Sequence, residues 1–257
     1  MSATKSELVD LYRRRASNYD LTANLYYLIG YREWAYRKLA VAALELEPGA
    51  TVVEIGCGTG LNFGLYQSRI GRDGRVIGID LNDAMLAKAA ERVEREGWKN
   101  VELVQADGAS YRFPEGLDAA ISTFAIALVP EFDEVIRNAA GALRPGGHLA
   151  VLDFKRPDSA PLWLVRALVA ITAPFGVSLD LAERHPWESV ERYLPGSCTS
   201  ELYFGFSYLS VGQAPSDDAT ISASVPDPAP AAEHSRPGTG SEQMSDLISR
   251  VTALPRD

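Results

Sequence analysis

Between Thr51 and Phe154 the apolar residues switch repeatedly between an alternating period and a helical one. Thr51–Ile55 is a short β-branched run, followed by a glycine-rich turn and a helical pattern from about Leu61 to Ile70. Arg75–Asp80 reads as a second strand. Ala84–Glu96 reads as a helix, with Met85, Leu86, Ala89, Ala90 and Val93 at helical spacing. Val101–Gln105 and Leu117–Thr123 read as the third and fourth strands, and a helix follows from about Glu131 to Leu143. Pro145-Gly146-Gly147 reads as a turn and His148–Phe154 as a fifth strand. Strands alternating with amphipathic helices predict right-handed βαβ units, hence an α/β fold with a parallel sheet covered on both faces. Thr199–Tyr203 and Phe206–Val211 read as a closing β-hairpin around Gly205. No internal repeat is visible.

The flanks differ from this middle. Residues 1–46 read as helical: Leu8, Leu11 and Tyr12 share one face, and Trp34, Leu39, Val41, Ala42 and Leu44 populate a second helix that Pro48-Gly49 stops. From Gln213 to Asp257 there is no Phe, Trp or Tyr, yet six of the fifteen prolines fall there, which predicts a disordered acidic tail. The division expected is 1–46, a helical cap; 47–212, the α/β domain; and 213–257, the tail.

Composition narrows the classes. Nearly half of the 257 residues are hydrophobic (46%), enough apolar mass for a real core. The formal net charge of -9 argues against general nucleic-acid binding, which needs a basic surface to displace counterions from phosphates. Two cysteines, Cys57 and Cys198, exclude a disulfide scaffold, and three scattered histidines do not suggest a metal site, so none is expected. The N-terminus has no apolar run of signal-peptide length. The most apolar stretch, Pro161 to Leu179, contains Arg166 and Pro174 and falls short of the ~20 residues of a membrane span. A cytoplasmic protein is expected, and its oligomeric state is not set by the sequence.

Three motifs carry chemistry. Val53-Glu54-Ile55-Gly56-Cys57-Gly58-Thr59-Gly60 ends the first strand, where glycines let backbone approach a ligand. Read from Gly56, the dinucleotide fingerprint would need glycine at Leu61. Cys57 reads as a small packing residue. Val76-Ile77-Gly78-Ile79-Asp80 ends the second strand in an acid placed to accept hydrogen bonds from ribose hydroxyls, with Asp83 expected to cap the next helix. Val104-Gln105-Ala106-Asp107-Gly108 ends the third strand. Asp107 there could accept from an adenine amino group or could simply close a turn. Together Glu54, Asp80 and Asp107 predict a negative crevice that repels a pyrophosphate and favours a sulfonium cation.

Over about residues 8–212 the chain resembles class I S-adenosylmethionine-dependent methyltransferases. Glu54-x-Gly56-x-Gly58-x-Gly60 resembles the family's cofactor loop. Gly78-Ile79-Asp80 with Met85-Leu86 resembles its second motif, Ala106-Asp107 its third, and Leu143-Arg144-Pro145-Gly146-Gly147-His148-Leu149 its turn before strand five. The resemblance implies a Rossmann-like, seven-stranded, doubly wound sheet of order 3-2-1-4-5-7-6 with strand seven antiparallel. It implies S-adenosyl-L-methionine as cofactor, held by Glu54, Gly56, Cys57, Gly58, Thr59, Gly60, Asp80, Leu81, Met85, Asp107, Gly108, Thr123 and Phe124.

The opening Tyr12-Arg13-Arg14-Arg15-Ala16-Ser17-Asn18-Tyr19-Asp20 resembles two groups within that class. These are the ubiquinone/menaquinone C-methyltransferases and the bacterial phosphatidylethanolamine and betaine-lipid N-methyltransferases. The continuation to Arg32 and Gly58-Thr59-Gly60-Leu61-Asn62-Phe63 is closer to the betaine-lipid group. By that resemblance the N-terminal helices form a lid and Tyr19 lies near the methyl donor. Arg13, Arg14 and Arg15 are candidates for a lipid phosphate or carboxylate. Residues 1–39 carry seven basic and four acidic side chains, a polarity suited to peripheral contact with an anionic membrane. The apolar helix Pro161–Thr172, with Trp163, reads as buried core or as a wall for an acyl or polyprenyl chain. His185 is expected in an irregular stretch overhanging the site, where it could deprotonate an amine. The expected activity is methyl transfer to a lipid amine or lipid-like small molecule. The alternatives are a quinone or secondary-metabolite C- or O-methyltransferase and, more remotely, a nucleotide-binding module or NAD-dependent oxidoreductase.

Overall fold

The computed structural model describes residues 10, 13, 30–157 and 184–216. The lid with Arg14, Arg15 and Tyr19, the apolar helix with Trp163, and the tail beyond residue 216 lie outside the described residues.

A helix, α1 (Glu33–Ala42), precedes strand β1 (Thr51–Ile55), and the alternation continues: α2 (Phe63–Ile70), β2 (Arg75–Asp80), α3 (Asp83–Glu96), β3 (Val101–Gln105), β4 (Leu117–Thr123), α4 (Phe132–Ala142) and β5 (Leu143–Phe154). A further helix, α5 (Pro186–Tyr193), leads to β6 (Cys198–Leu202) and β7 (Ser207–Gln213). The seven strands form one sheet of order β3-β2-β1-β4-β5-β7-β6. β1 to β5 run parallel, and β7 pairs antiparallel with both β5 and β6. The chain order reverses between β1 and β4, so a crevice opens outside their carboxyl ends.

Strand alternation divides the core. Val52 and Val76 face α1, α2 and α3, packing with Leu39, Phe63, Tyr66 and Leu86, while Val53, Ile55 and Ile77 face α4 and α5 with Val135, Ile136 and Val190. Each fully buried side chain of this size contributes about 1.5–3 kcal/mol relative to exposure.

Four boundaries differ from expectation. The first βα loop is longer, since α2 starts at Phe63, not Leu61. Asn82, not Asp83, caps α3: its side chain accepts from the Ala84 and Met85 N–H groups. Pro145-Gly146-Gly147 lies within β5, because Leu143 already pairs with Leu117 before a bulge between Leu117 and Ala119. Gly147 is needed there, as a Cβ would stand 2.9 Å from the Leu117 carbonyl oxygen. Finally, the sheet runs past residue 212: His148 pairs with Gln213, and Ala214 exchanges backbone bonds with Gly146 and Gly147. Among the described residues no helix is long and apolar enough to cross a membrane.

Candidate functional site

A cleft sits at the carboxyl ends of β1, β2, β3 and β4, lined by the Gly56–Thr59 loop, Asp80–Asn82, Ala106–Gly108 and Thr123–Ala125. The loop leaves β1 and is tied at once to the neighbouring strand: Gly56 and Cys57 donate their N–H groups to the Ile79 carbonyl at 2.8 and 3.0 Å. Gly58 then donates to Asp80 Oδ2 at 2.8 Å, and Asn82 N–H donates to Asp80 Oδ1, also at 2.8 Å. Each Asp80 oxygen therefore holds one backbone donor and keeps lone pairs for hydroxyls in the cleft. Burial pushes the Asp80 carboxyl up, and those backbone donors oppose the rise.

Gly58 has φ +54, and a Cβ built on it would meet nothing within 4 Å. The loop thus turns a side-chain-free, left-handed surface toward open space, the shape a close-lying ligand requires. Asp107 does both things its motif allows: Oδ1 accepts from Ala109 N–H at 3.1 Å, closing an Asx turn, and the residue lines the cleft. Burial and the nearby Asp80 and Glu54 push the Cys57 thiol up, so it packs as a neutral side chain.

Of the thirteen residues assigned to the cofactor, Gly56, Cys57, Gly58, Thr59, Asp80, Leu81, Met85, Asp107, Gly108, Thr123 and Phe124 line this cleft. Glu54 and Gly60 do not. Glu54 shares the face of β1 that carries Val52, so it points behind the loop toward α1 and α2. Gly60 turns toward Phe63, whose ring a Cβ would meet at 2.6 Å. The crevice therefore has two strand-end carboxylates at its surface and the third behind it.

Behind the loop lies a buried polar network. Asn62 Nδ2 donates to Glu54 Oε1 at 2.5 Å and to Thr123 Oγ1 at 2.9 Å. From α1, Arg37 Nη1 donates to Asn62 Oδ1 at 3.2 Å and to Thr123 Oγ1 at 2.7 Å, while Nε and Nη2 take Glu33 Oε1. Burial pushes the Glu54 carboxyl up to about 7, opposed by the Arg37 charge and by donors including Asn62. Arg37 itself reaches the cleft and lies 5.0 Å over the Phe124 ring.

Phe124 follows β4 directly with φ +56, a strained setting for a bulky residue of the kind that collects at functional sites. Its ring sits 5.0 Å from Phe154 and 6.1 Å from Tyr31, and Tyr31 in turn packs on Tyr203 at 5.1 Å. An aromatic cluster thus backs the cleft at the ends of β4 and β5.

One expectation changes. His185 opens α5, where Pro186 occupies the first turn. Its ring pairs with Glu188 at 2.9 Å and stacks on Trp187 at 4.6 Å, and it does not line the cleft. Arg13, half-exposed, pairs with Asp10 and, through Nε and Nη2, with Asp83 at 3.0 Å at the start of α3. Sequence reasoning missed Arg37, Asn82, Ala125, Leu128 and Val129. For Arg37 a signal existed, since Glu33 and Arg37 lie on the helical stripe of Ala40, Val41 and Leu44, so a charged pair was destined for burial.

Comparison with known proteins identifies the family and the fold. The model of the ubiE/COQ5 methyltransferase family matches residues 1–168. A phosphatidylethanolamine N-methyltransferase of Cereibacter sphaeroides is 33% identical over 166 residues, spanning 59% of this chain and 80% of that protein. A ubiquinone/menaquinone biosynthesis C-methyltransferase of Salmonella arizonae is 32% identical over 149 residues, spanning 57% of this chain and 59% of that protein. Among solved structures, the Haemonchus contortus phosphoethanolamine N-methyltransferase 2, complexed with phosphomonomethylethanolamine and S-adenosylhomocysteine, shares the fold with a TM-score of 0.54. Its identity is 17%, over 66% of this chain and 50% of that one.

Proposed function

Because the chain belongs to the ubiE/COQ5 methyltransferase family and is an S-adenosylmethionine-dependent methyltransferase, we propose that its acceptor is an amine on a lipid or lipid-like small molecule. The observation that carries this reading is the match to the phosphatidylethanolamine N-methyltransferase, which spans four-fifths of that relative. The aromatic cluster supports it, because a methylated ammonium product is a cation that aromatic faces stabilise. A second reading, a quinone C-methyltransferase, is favoured by the 32% identity to the Salmonella enzyme.

S-adenosylmethionine, when bound, supplies a methyl group on a positively charged sulfur that departs as a neutral thioether. In the proposed arrangement Asp80 accepts the ribose hydroxyls and Asp107 the adenine amino group, while the Gly56–Gly58 backbone lets the ligand lie against β1. These contacts position the methyl, and orientation of this kind can contribute ~7–11 kcal/mol to lowering the barrier. Phe124 walls the acceptor side, and Tyr19 is the lid residue proposed nearest the methyl. The lid proposed is the chain before α1, which itself packs into the core, and Arg13, Arg14 and Arg15 are its candidates for meeting the lipid.

Vesicles of phosphatidylethanolamine and vesicles of its N-acylated form, offered with radiolabelled S-adenosylmethionine, test the acceptor. Label entering only the free-amine vesicles supports the proposal. Incorporation indifferent to blocking, or label accepted only by a soluble demethylated quinone, overturns it.

A further inference from the structure

Among the described residues three large hydrophobic side chains are exposed, Trp34, Leu81 and Phe204, and all three stand at the end of the sheet where the cleft opens. Leu81 follows β2 and lines the cleft. Trp34 is in the first turn of α1, the end that Tyr31 joins to the aromatic cluster. Phe204 is at the tip of the β6–β7 hairpin, and the register fixes which way that tip points. Phe154, the last residue of β5, pairs with Ser207, so residues 203–206 project beyond the carboxyl end of β5. Single exposed apolar residues are ordinary. Phe204 stands apart by its backbone: it is 82% exposed, and Tyr203, Phe204 and Gly205 run consecutively at φ +47, +56 and +82. A bulky side chain in the left-handed region is strained, and glycine or asparagine would serve the same turn without strain. The Tyr203 ring turns inward to Tyr31 at 5.1 Å, while the Phe204 ring is left outside, against Tyr203 at 5.5 Å.

We propose that Phe204 is a wedge that enters the headgroup layer of an anionic phospholipid bilayer and sets the cleft against it. The choice of surface rests on the lipid-amine reading above and names where the acceptor is met. Charge supports it, because cations flank both aromatic projections. Arg32 follows Tyr31, and Lys38 lies 5.8 Å over the Trp34 ring. Arg156 is exposed between Lys155, whose N–H donates to the Phe206 carbonyl, and Pro157, which stands 3.3 Å from a Cβ built on Gly205. Glu201, the carboxylate of β6 beside the tip, is paired with Lys155. The opposite end of the sheet, where the parallel strands begin, presents Glu45, Glu47, Asp73 and Glu115 against Arg72 and Arg144. A chain of net charge -9 therefore meets an anionic surface best with its cleft end foremost. An apolar ring at headgroup depth with cations beside it holds a protein on a bilayer without spanning it.

The test sediments the full chain with vesicles of phosphatidylethanolamine and phosphatidylglycerol. Phe204→Gly should lower the partition coefficient at least about fivefold, the loss that follows from withdrawing one large apolar side chain. That factor should be the same at about 0.1 M and about 0.5 M salt, because apolar burial is not screened. Phe204→Leu keeps an apolar side chain and should stay within about twofold of wild type. The glycine variant should melt at or above the wild-type temperature, since the strained φ is relieved and little packing is lost. Phe204→Asn, which also accepts this φ, should reproduce its sedimentation. Undiminished sedimentation of the glycine variant overturns the wedge, as does wild-type protein that stays in the supernatant. A lower melting temperature with sedimentation unchanged assigns the ring to packing within the chain and overturns it too. The two proposals fail separately. Labelled methyl transfer into the vesicle phosphatidylethanolamine, with undiminished sedimentation of Phe204→Gly, keeps the acceptor and removes the wedge. Phe204-dependent sedimentation with no label transferred keeps the wedge and removes the acceptor.

Discussion

Gly58 donates its backbone N–H to Asp80 Oδ2 at 2.8 Å, so the glycine loop and the acid at the end of β2 form one unit. Asp80 is the post that fixes the loop and, in the proposed arrangement, a ligand contact as well. Asp80→Ala should weaken S-adenosylhomocysteine binding by at least about tenfold, and it also strands the Gly58 and Asn82 donors at about 1–3 kcal/mol each. Calorimetry and a melting curve read both effects. Affinity near wild type would remove Asp80 from the site.

Gly58→Val should abolish cofactor binding, because the new side chain projects into the space over the loop and must adopt φ +54. Full affinity in that variant would show that the ligand lies elsewhere.

Three buried carboxyls, Glu54, Asp80 and Asp153, give the stability a pH dependence. Burial pushes Glu54 up to about 7 and Asp153, at the end of β5, up to about 6. A raised carboxyl keeps its proton in the folded chain where the unfolded chain has released it. Its contribution is therefore present in acid and is lost as pH rises from the ordinary carboxyl range to about 7. The slope reaches at most about 1.4 kcal/mol per pH unit for each group. Urea unfolding at about pH 5 and about pH 7.5 should show stability falling with pH, and less so in Glu54→Gln. Identical losses in wild type and variant would contradict the account.

The end of the sheet sets where the chain can be cut. Truncation after Gly212 removes Gln213 and Ala214, whose backbone pairs with His148, Gly146 and Gly147, and should lower the melting temperature by several degrees. Truncation after Ser216 should leave it unchanged, since residues 217–257 carry no Phe, Trp or Tyr to dock. Equal melting of the two truncated forms would remove the distinction.

Each part of the fold was legible in the sequence to the degree that its physics is local. The strands Thr51–Ile55, Arg75–Asp80, Val101–Gln105 and Leu117–Thr123 were readable to the residue because they are short apolar runs bounded by turn residues. The start of β5 was not, since Pro145-Gly146-Gly147 has turn chemistry and is carried as extra residues of β5 between the pairings Leu117–Leu143 and Ala119–His148. Glycines and strand-end acids disclosed the cleft by their positions. Strand parity, available from Val53 and Ile55 on either side, would have turned Glu54 away from the cleft. Arg37 stayed hidden because a contact between α1 and the end of β4, 86 residues apart, leaves no local pattern beyond a charged pair on an apolar stripe. His185 was misplaced because Pro186 reads as a loop residue, whereas it begins a helix that Glu188 supports.

Arg13 and its neighbours should separate in degree. Arg13 is engaged by Asp83, so Arg13→Gln should reduce vesicle binding less than replacing its neighbours does. Replacing Arg14 and Arg15 with glutamine should reduce sedimentation with anionic vesicles, and salt should weaken the wild-type interaction as the Debye length shrinks from ~10 Å at 0.1 M to ~3 Å at 1 M. Wild-type protein that stays in the supernatant at low salt would contradict a membrane-borne acceptor.

The decisive measurement is transfer of a radiolabelled methyl group from S-adenosylmethionine into a total bacterial lipid extract, with the product resolved by chromatography. Label should enter the amino-headgroup phospholipid or betaine-type fraction and migrate with an N-methylated standard. Label confined to the neutral quinone fraction, or to a water-soluble product, would contradict a lipid-amine acceptor.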